Sequence, residues 1–486
     1  MLLSLFPALK ENKFIKLINS FLASKWYVIL VGLLVLLSHT FSLETYIFIA
    51  FVLSGVVIPC LLCEDMIAMV APLAMTYSSI SLKSNNTRYK TSLFSGPTKI
   101  IIIVLAVIIL ACVLARLIFD LVKNKEKRFK PRLMLGFLFL APCYLLGGFL
   151  SPYYDLNTVL YGGVNFLSIS ATYFILLYLV DWKKAGKSYI FWVLTVYGLV
   201  VSLEVFYIIF KINAGIKDYV SWWDQIFTGW GMRNNIAGQI VLCIAAPIYL
   251  SFISSKKTSW IYLLFSPLML VAIFLTNSRA CSLFGTLIWA GCLVFYFIKC
   301  EKEKRNIGLV TMGLVMVAFA GVFVIKRDEV TKLLVRFFSE SPDVTDINDF
   351  TQGRYSTWTH GLKHFSENEL FGVGFYQCED FRFTNFSSDF VPARYHNIYI
   401  QFLASTGIAG LIAYLYHRFE TFKLLTEKPS LEKSFIFISL FTIVLCSLVD
   451  NNFFNLGPGL NYGIGLAFLE GLHIRNLTYS QHEQSK

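Results

Sequence analysis

The chain has 486 residues, 56% hydrophobic and 15% charged, with a mean hydropathy of +0.63, which excludes a soluble globular domain. The formal net charge of +12 would suit nucleic acid. Its Lys and Arg residues, however, fall in short segments between apolar runs rather than along one amphipathic face, so a nucleic-acid partner is not expected and a polytopic membrane protein is.

The first 25 residues carry Lys10, Lys13, Lys16 and Lys25 but no compact apolar core followed by a small-residue cleavage site. No removable signal peptide is expected, and the first span serves as the anchor. From Trp26 to His473, apolar runs of roughly 15 to 25 residues recur, each able to cross about 30 Å of hydrocarbon as a helix. They predict an all-α membrane helix bundle of about 12–14 spans. The basic segments Lys123 to Arg132, Trp182 to Lys187, Lys256-Lys257, Lys302 to Arg305 and His417 to Lys433 mark cytoplasmic loops and place both termini inside. Lys83, Arg88, Lys90 and Lys99 fit this scheme poorly, because three preceding spans would turn them outward. Most of the ten cysteines lie inside spans as small apolar residues. Cys378 lies in an external segment with no partner nearby, and the Cys60-x-x-Cys63 spacing at a helix end is read as structural.

Three parts follow: residues 1–325 as transmembrane helices with short loops, 326–394 as a long external helical loop, and 395–486 as C-terminal helices and a cytoplasmic tail. The outer pieces appear in order. Lys211 to Asn235 carries Trp222, Trp223 and Trp230, whose common use at a membrane boundary is an interfacial belt, with sugar stacking as the alternative. A second corner, Thr276-Asn277-Ser278-Arg279, ends a span on the same side. The external loop opens with an amphipathic stretch, Glu329 to Ser339, suited to rest on lipid. A helix from Gly353 to Asn368 then puts Arg354 and Trp358 on one face. Phe371-Gly372-Val373-Gly374-Phe375 is a tight turn with too few glycines, and no following Lys-Ser/Thr, for a nucleotide loop. His360 and His364 have the spacing of a helical metal pair, but no Glu follows His360, so a solvated face is expected and no metal. Arg394-Tyr395-His396-Asn397 then stands at the lip of the next span.

Arg233, Arg279, Arg354 and His396 thus fall at one membrane face although they are far apart in sequence. Each has an ordinary reading: an Arg at a helix end snorkels to water, and a His at a helix mouth is a cap. Together they ask for an anionic head group such as a lipid diphosphate, whose oxygens match the guanidinium fork. Glu379, Asp380, Asp389 and Asp450 are outward carboxylates that stand beside His396 as candidate bases.

Gly353-Arg354, Trp358, Phe371 to Phe375, His396-Asn397-Ile398-Tyr399 and Gly407-Ile408-Ala409-Gly410-Leu411, in that order, resemble the C-terminal signature of the bacterial O-antigen ligase and O-antigen polymerase superfamily. Arg233-Asn234-Asn235 with Ala237, and Ser278-Arg279, resemble its upstream Arg-Asn and Ser-Arg elements. The resemblance covers about residues 230 to 411. It implies a GT-C-like, metal-independent, inverting glycosyltransferase without a cofactor, which takes a glycan from an undecaprenyl diphosphate carrier at the periplasmic face of the bacterial inner membrane. It further implies that Arg233 and Arg279 clamp the diphosphate, that Arg354 joins or orients them, and that His396 is the general base or positions the acceptor hydroxyl. Asn234, Trp358, Tyr395 and Asn397 would contact substrate. The acceptor would be the lipid A core for a ligase, another carrier-linked repeat for a polymerase, or a protein hydroxyl in a related branch; the ordered C-terminal motif and moderate outer loop favour the ligase. The rival class is a lipid-linked oligosaccharide transporter, but no internal repeat is seen and Glu204, the main charge expected inside a span, lies nearer its outer end.

Overall fold

The computed structural model describes residues 11–79, 83–85, 88–90, 96–123, 130–154, 156–182, 186, 188–214, 233–325, 327, 331, 353–375 and 394–484. Trp222, Trp223, Trp230, nearly all of Glu329 to Ser339, and Cys378, Glu379, Asp380 and Asp389 lie outside the described residues.

The apolar runs fold into an all-α bundle. Its helices are α1 (Lys13–Leu22), α2 (Lys25–Phe41), α3 (Glu44–Leu62, with a π turn at Leu53–Val57), α4 (Ile67–Ser79), α5 (Gly96–Lys123), α6 (Met134–Phe149), α7 (Leu156–Leu179), α8 (Tyr189–Asn213), α9 (Arg233–Ile253), α10 (Lys256–Leu275), α11 (Arg279–Lys299), α12 (Lys302–Ile325), α13 (Arg354–Glu367), α14 (Ile398–Thr426), α15 (Leu431–Cys446) and α16 (Leu456–Gln484). The short strands β1 (Lys83–Asn85) and β2 (Arg88–Lys90) pair antiparallel. Polar residues start several helices by occupying backbone N–H groups that have no partner within the helix. Asn12 accepts from Phe14 and Ile15 at α1, Ser24 from Trp26 and Tyr27 at α2, and Asn397 from Tyr399 and Ile400 at α14.

Among the described residues 8 helices are long and apolar enough to cross a membrane, or up to 9 if the bent pair α1 and α2, meeting at 64°, is one span. This is fewer than the 12–14 spans expected from the sequence, because α4 and α6 are apolar but shorter than a span. The flanks of α5 and α12 stay apolar and exposed, with Ile103, Val107, Leu314 and Val317 all more than half accessible, as surfaces that face lipid must be.

The span order turns the β1–β2 hairpin toward the end of the bundle that holds Arg233 and Arg279. Ser38 near the end of α2 donates to the Ser79 carbonyl at 2.6 Å, and Tyr77 lies against Gly457 at the start of α16. Lys83, Arg88 and Lys90 therefore lie at the end of the bundle opposite to the one that the loop-charge pattern expects for basic residues.

A second departure concerns the basic stretch His417 to Lys433, expected as a loop. Instead α14 runs on to Thr426 and α15 begins at Leu431. Polar side chains of this stretch meet partners inside the protein: the His417 ring packs 4.7 Å from Phe137, Arg418 bonds the Tyr462 hydroxyl, and Glu420 meets Arg132 at 2.9 Å. Arg418, Arg116 and Asp120 thus join Glu204 as charges within long helices. Arg116 pairs with Asp120 at 3.1 Å and donates to the Cys63 carbonyl at 2.9 Å, at the end of α3.

Helix α14 is broken at Gly407, whose φ of 66° and ψ of −168° are not helical. Phe402 stacks on Tyr414 with ring centroids 4.4 Å apart, whereas twelve residues of straight helix would separate them by about 18 Å. The first half of α14 therefore folds back along the second. The break frees backbone groups, and the Phe371 to Phe375 turn satisfies them. Val373 and Gly374 N–H groups donate to the Ala404 and Ser405 carbonyls at 2.7 and 3.1 Å, while Ile408 and Ala409 N–H groups donate to Glu369 and Leu370 at 2.9 and 3.2 Å. A Cβ on Gly407 would meet the Leu370 oxygen at 2.3 Å, and one on Gly372, where φ is +71°, would meet the Ala404 oxygen at 2.6 Å, so this joint requires glycine.

Candidate functional site

Arg233, Arg279 and Arg354 are each the first residue of a helix, α9, α11 and α13 respectively. At that position a helix presents unpaired N–H groups and the positive end of its dipole. The three helix starts meet at one end of the bundle. The Cys281 thiol in the first turn of α11 lies 3.8 Å from the Asn234 carbonyl at the start of α9 and 3.7 Å from the Cys446 sulfur at the end of α15. Arg354 donates from Nε to the Val449 carbonyl at 3.0 Å, in the segment between α15 and α16. Burial lowers the proton affinity of Arg354, Asp450 opposes this, and the positive charges of Arg233 and Arg279 lower it further. Residues 75 to 121 positions apart thus act on one another through space.

Asp450, next to Val449, organises the cations. His396 approaches it with Nδ1 at 3.1 Å from Oδ1, and the Asn451 N–H donates to the same oxygen at 2.7 Å. Burial would raise the Asp450 carboxyl's pKa, but the hydrogen bond and charge of His396, the Asn451 amide and Arg394 together hold it below the ordinary carboxylate value. His396 has φ +51°, a conformation that a non-glycine residue rarely adopts and that is held here by its surroundings.

The other residues singled out in the sequence divide. Asn234 and Trp358 are half-buried at this end, and the indole N–H of Trp358 is buried with no hydrogen-bond partner among the described residues. Asn397 caps α14 and donates to the Leu448 carbonyl at 3.1 Å. Tyr395 is fully buried, its hydroxyl 2.6 Å from His364 Nδ1, so its place is behind the site rather than at its surface. His364 is 3% exposed and packs against His360 with ring centroids 4.2 Å apart. The expected solvated face is instead the contact of α13 with α14.

Arg394 has no assigned role in the sequence reading. It is half-buried beside the phenols of Tyr161 and Tyr77. Desolvation, the largest influence, lowers its proton affinity, but those phenols and the Asp450 charge outweigh it and raise the net value. The only signal for it was its place two residues before His396. Beneath the site the helices carry amides. Asn455 donates to the Asn235 side chain at 2.9 Å, Tyr197 to Gln239 at 2.6 Å, and Asn461 to the Ala74 carbonyl at 3.2 Å.

The fold defines a polytopic α-helical membrane protein whose candidate site is assembled at one end of the bundle. Residues 264–415 match the family model described as O-antigen ligase. This stretch is similar to that family's domain, in line with the ordered motifs. No curated protein matches the chain.

Proposed function

We propose that the protein transfers a glycan from an undecaprenyl diphosphate carrier to an acceptor hydroxyl at the periplasmic face of the inner membrane, as an O-antigen ligase acting on the lipid A core. The observation that carries this reading is the His396–Asp450 pair, 3.1 Å apart, beside Arg354. Arg354 in turn feels Arg233 and Arg279.

In this reading the acceptor oxygen attacks the anomeric carbon as the bond to the diphosphate breaks, and the electron pair of that bond leaves with the carrier. Charge grows on the diphosphate in the transition state, where Arg233, Arg279 and Arg354, together with three helix N-termini, stabilise it more than in the ground state. The acceptor proton passes to His396. With Nδ1–H directed at the Asp450 carboxylate, Nε2 keeps its lone pair for that proton, and the carboxylate stabilises the imidazolium that forms. Direct displacement inverts the anomeric centre and uses no metal.

The test is deletion of the gene in its source organism, followed by gel analysis of surface polysaccharide. Loss of all banding on the lipid A core supports the ligase, retention of one capped repeat indicates a polymerase instead, and an unchanged pattern rejects both.

A further inference from the structure

The His396–Asp450 pair joins two segments from different parts of the chain, and neither is a regular element. His396 lies in the strained turn ahead of α14, and Asp450 in the connection from α15 to α16. One buried side chain holds both. Gln401, in the folded-back first half of α14 and 1% exposed, accepts at Oε1 from the backbone N–H of Tyr395 at 3.1 Å and from the Asn451 amide at 2.8 Å. The first donor is the residue before His396 and the second is the residue after Asp450.

Both lone pairs of Oε1 are used, and Nε2 donates to Ser405 Oγ at 2.9 Å, which sets the orientation of the amide. Ser405 lies at the Gly407 break, where its carbonyl accepts from Gly374. The hydrogen-bond chain therefore runs from the helix break, through one amide, to both flanks of the pair. Behind it, the His364 contact with Tyr395 ties the same segment to α13, which carries Arg354.

We propose that Gln401 is a positioning residue for the transfer reaction: it sets the distance and angle between His396 and Asp450 by holding the residues beside them, without touching substrate. This rests on the reading of His396 and Asp450 given above. An amide suits the task because it is neutral, accepts twice and donates from the same rigid plane. A misplacement of the pair lowers the rate of the chemical step while leaving the diphosphate clamp intact.

The experiment uses the full-length protein reconstituted with a polyprenyl diphosphate-linked oligosaccharide and a lipid A core acceptor. Gln401→Met, of similar volume but unable to accept either bond, is expected to lower kcat about tenfold with donor KM changed less than about twofold. Gln401→Glu, which retains the double acceptor, should recover at least about a third of wild-type kcat. The double variant Gln401→Met/Asp450→Asn should be no slower than Asp450→Asn, because the two act through one unit.

Wild-type kcat in Gln401→Met, a change confined to KM, or losses that multiply in the double variant would overturn the proposal. Should Gln401→Met fail to insert, Asn451→Ala carries the same test. It removes one of the two bonds but keeps the backbone donor to Asp450, so about a threefold fall in kcat, absorbed in the Asp450→Asn background, is expected; a fall that multiplies there rejects the proposal. If His396→Ala and Asp450→Asn are themselves fully active, the functional reading fails first. If they are crippled while Gln401→Met is not, only the role of Gln401 is lost.

Discussion

The two ends of the bundle both pair cations with anions or carbonyls, but they differ in how many like charges share one neighbourhood. At the end away from the candidate site, cations meet anions or carbonyls. Arg132 reaches Glu420 at 2.9 Å and also bonds Glu427, Lys423 meets Glu420 at 3.0 Å, and buried Lys433 donates to the Leu424 and Glu427 carbonyls at 2.7 Å each. Backbone N–H groups of Arg132 and Leu133 and the Tyr173 hydroxyl converge on Glu470. At the site end, like charges are gathered: Arg233 and Arg279 act unfavourably on Arg354, and Arg354, Arg394 and His396 share the influence of Asp450. Paired ions lock helices together. Like charges held close cost folding free energy, and such an arrangement becomes favourable when an anion occupies it.

If this contrast is right, substitutions at the site end should act on turnover and those at the other end on stability. The largest effect is expected for His396→Ala: removal of a general base lowers kcat by about 10²-fold or more, with the protein still inserted. Radiolabelled glycan transfer by purified protein measures it. Wild-type turnover by a well-expressed His396→Ala protein would move the base to a carboxylate.

Arg279→Ala comes next. The loss of charge-assisted hydrogen bonds worth about 1.5–3 kcal/mol each should cost about tenfold or more in kcat. Arg279→Lys keeps the charge but loses the planar fork, and should recover activity only partly. Equal activity of the Ala and Lys variants would show that no phosphate fork is at work there.

Arg132→Ala tests the other end. It should lower thermal stability by about 1–2 kcal/mol, allowing for solvent screening of a partly exposed group, and leave kcat per folded molecule unchanged. A drop in kcat without a drop in Tm would dissolve the distinction between the two ends.

The smallest effect is on pH dependence. Asp450 has a lowered pKa, so its stabilising contribution is fully present above about pH 4, the ordinary carboxylate value, and is lost as pH falls through the lowered one. Between pH 5 and pH 3 the Tm of the wild type should fall toward that of Asp450→Asn, and the gap between the two proteins should narrow. A constant gap would mean that Asp450 is not held ionised by its neighbours.

The apolar runs and basic loops made the all-α bundle legible, because the requirement to satisfy every backbone group in lipid leaves few alternatives to helices. The gathering of Arg233, Arg279, Arg354 and His396 at one end of the bundle was legible from the same bookkeeping of spans, and the need for glycine in the Phe371 to Phe375 turn from its spacing. The stretch His417 to Lys433 misled, because basic residues near a span end look alike whether they meet water or, like Arg418 and Lys433, buried partners. Periodicity likewise put His364 on a free helix face, since it cannot see that α14 packs there.

By itself, the sequence determined the class of fold, the gathering of the arginines at one end of the bundle and the resemblance of its C-terminal motifs to the O-antigen ligase family. Only the tertiary structure decided that α14 breaks and folds back, that Asp450 is the carboxylate paired with His396, that Arg394 lies beneath them, and that Gln401 holds both flanks of the pair. The physical reason is range. Hydropathy and capping act within a few residues, whereas these contacts join segments about 50 or more positions apart through hydrogen bonds and charges that exist only once the helices have packed.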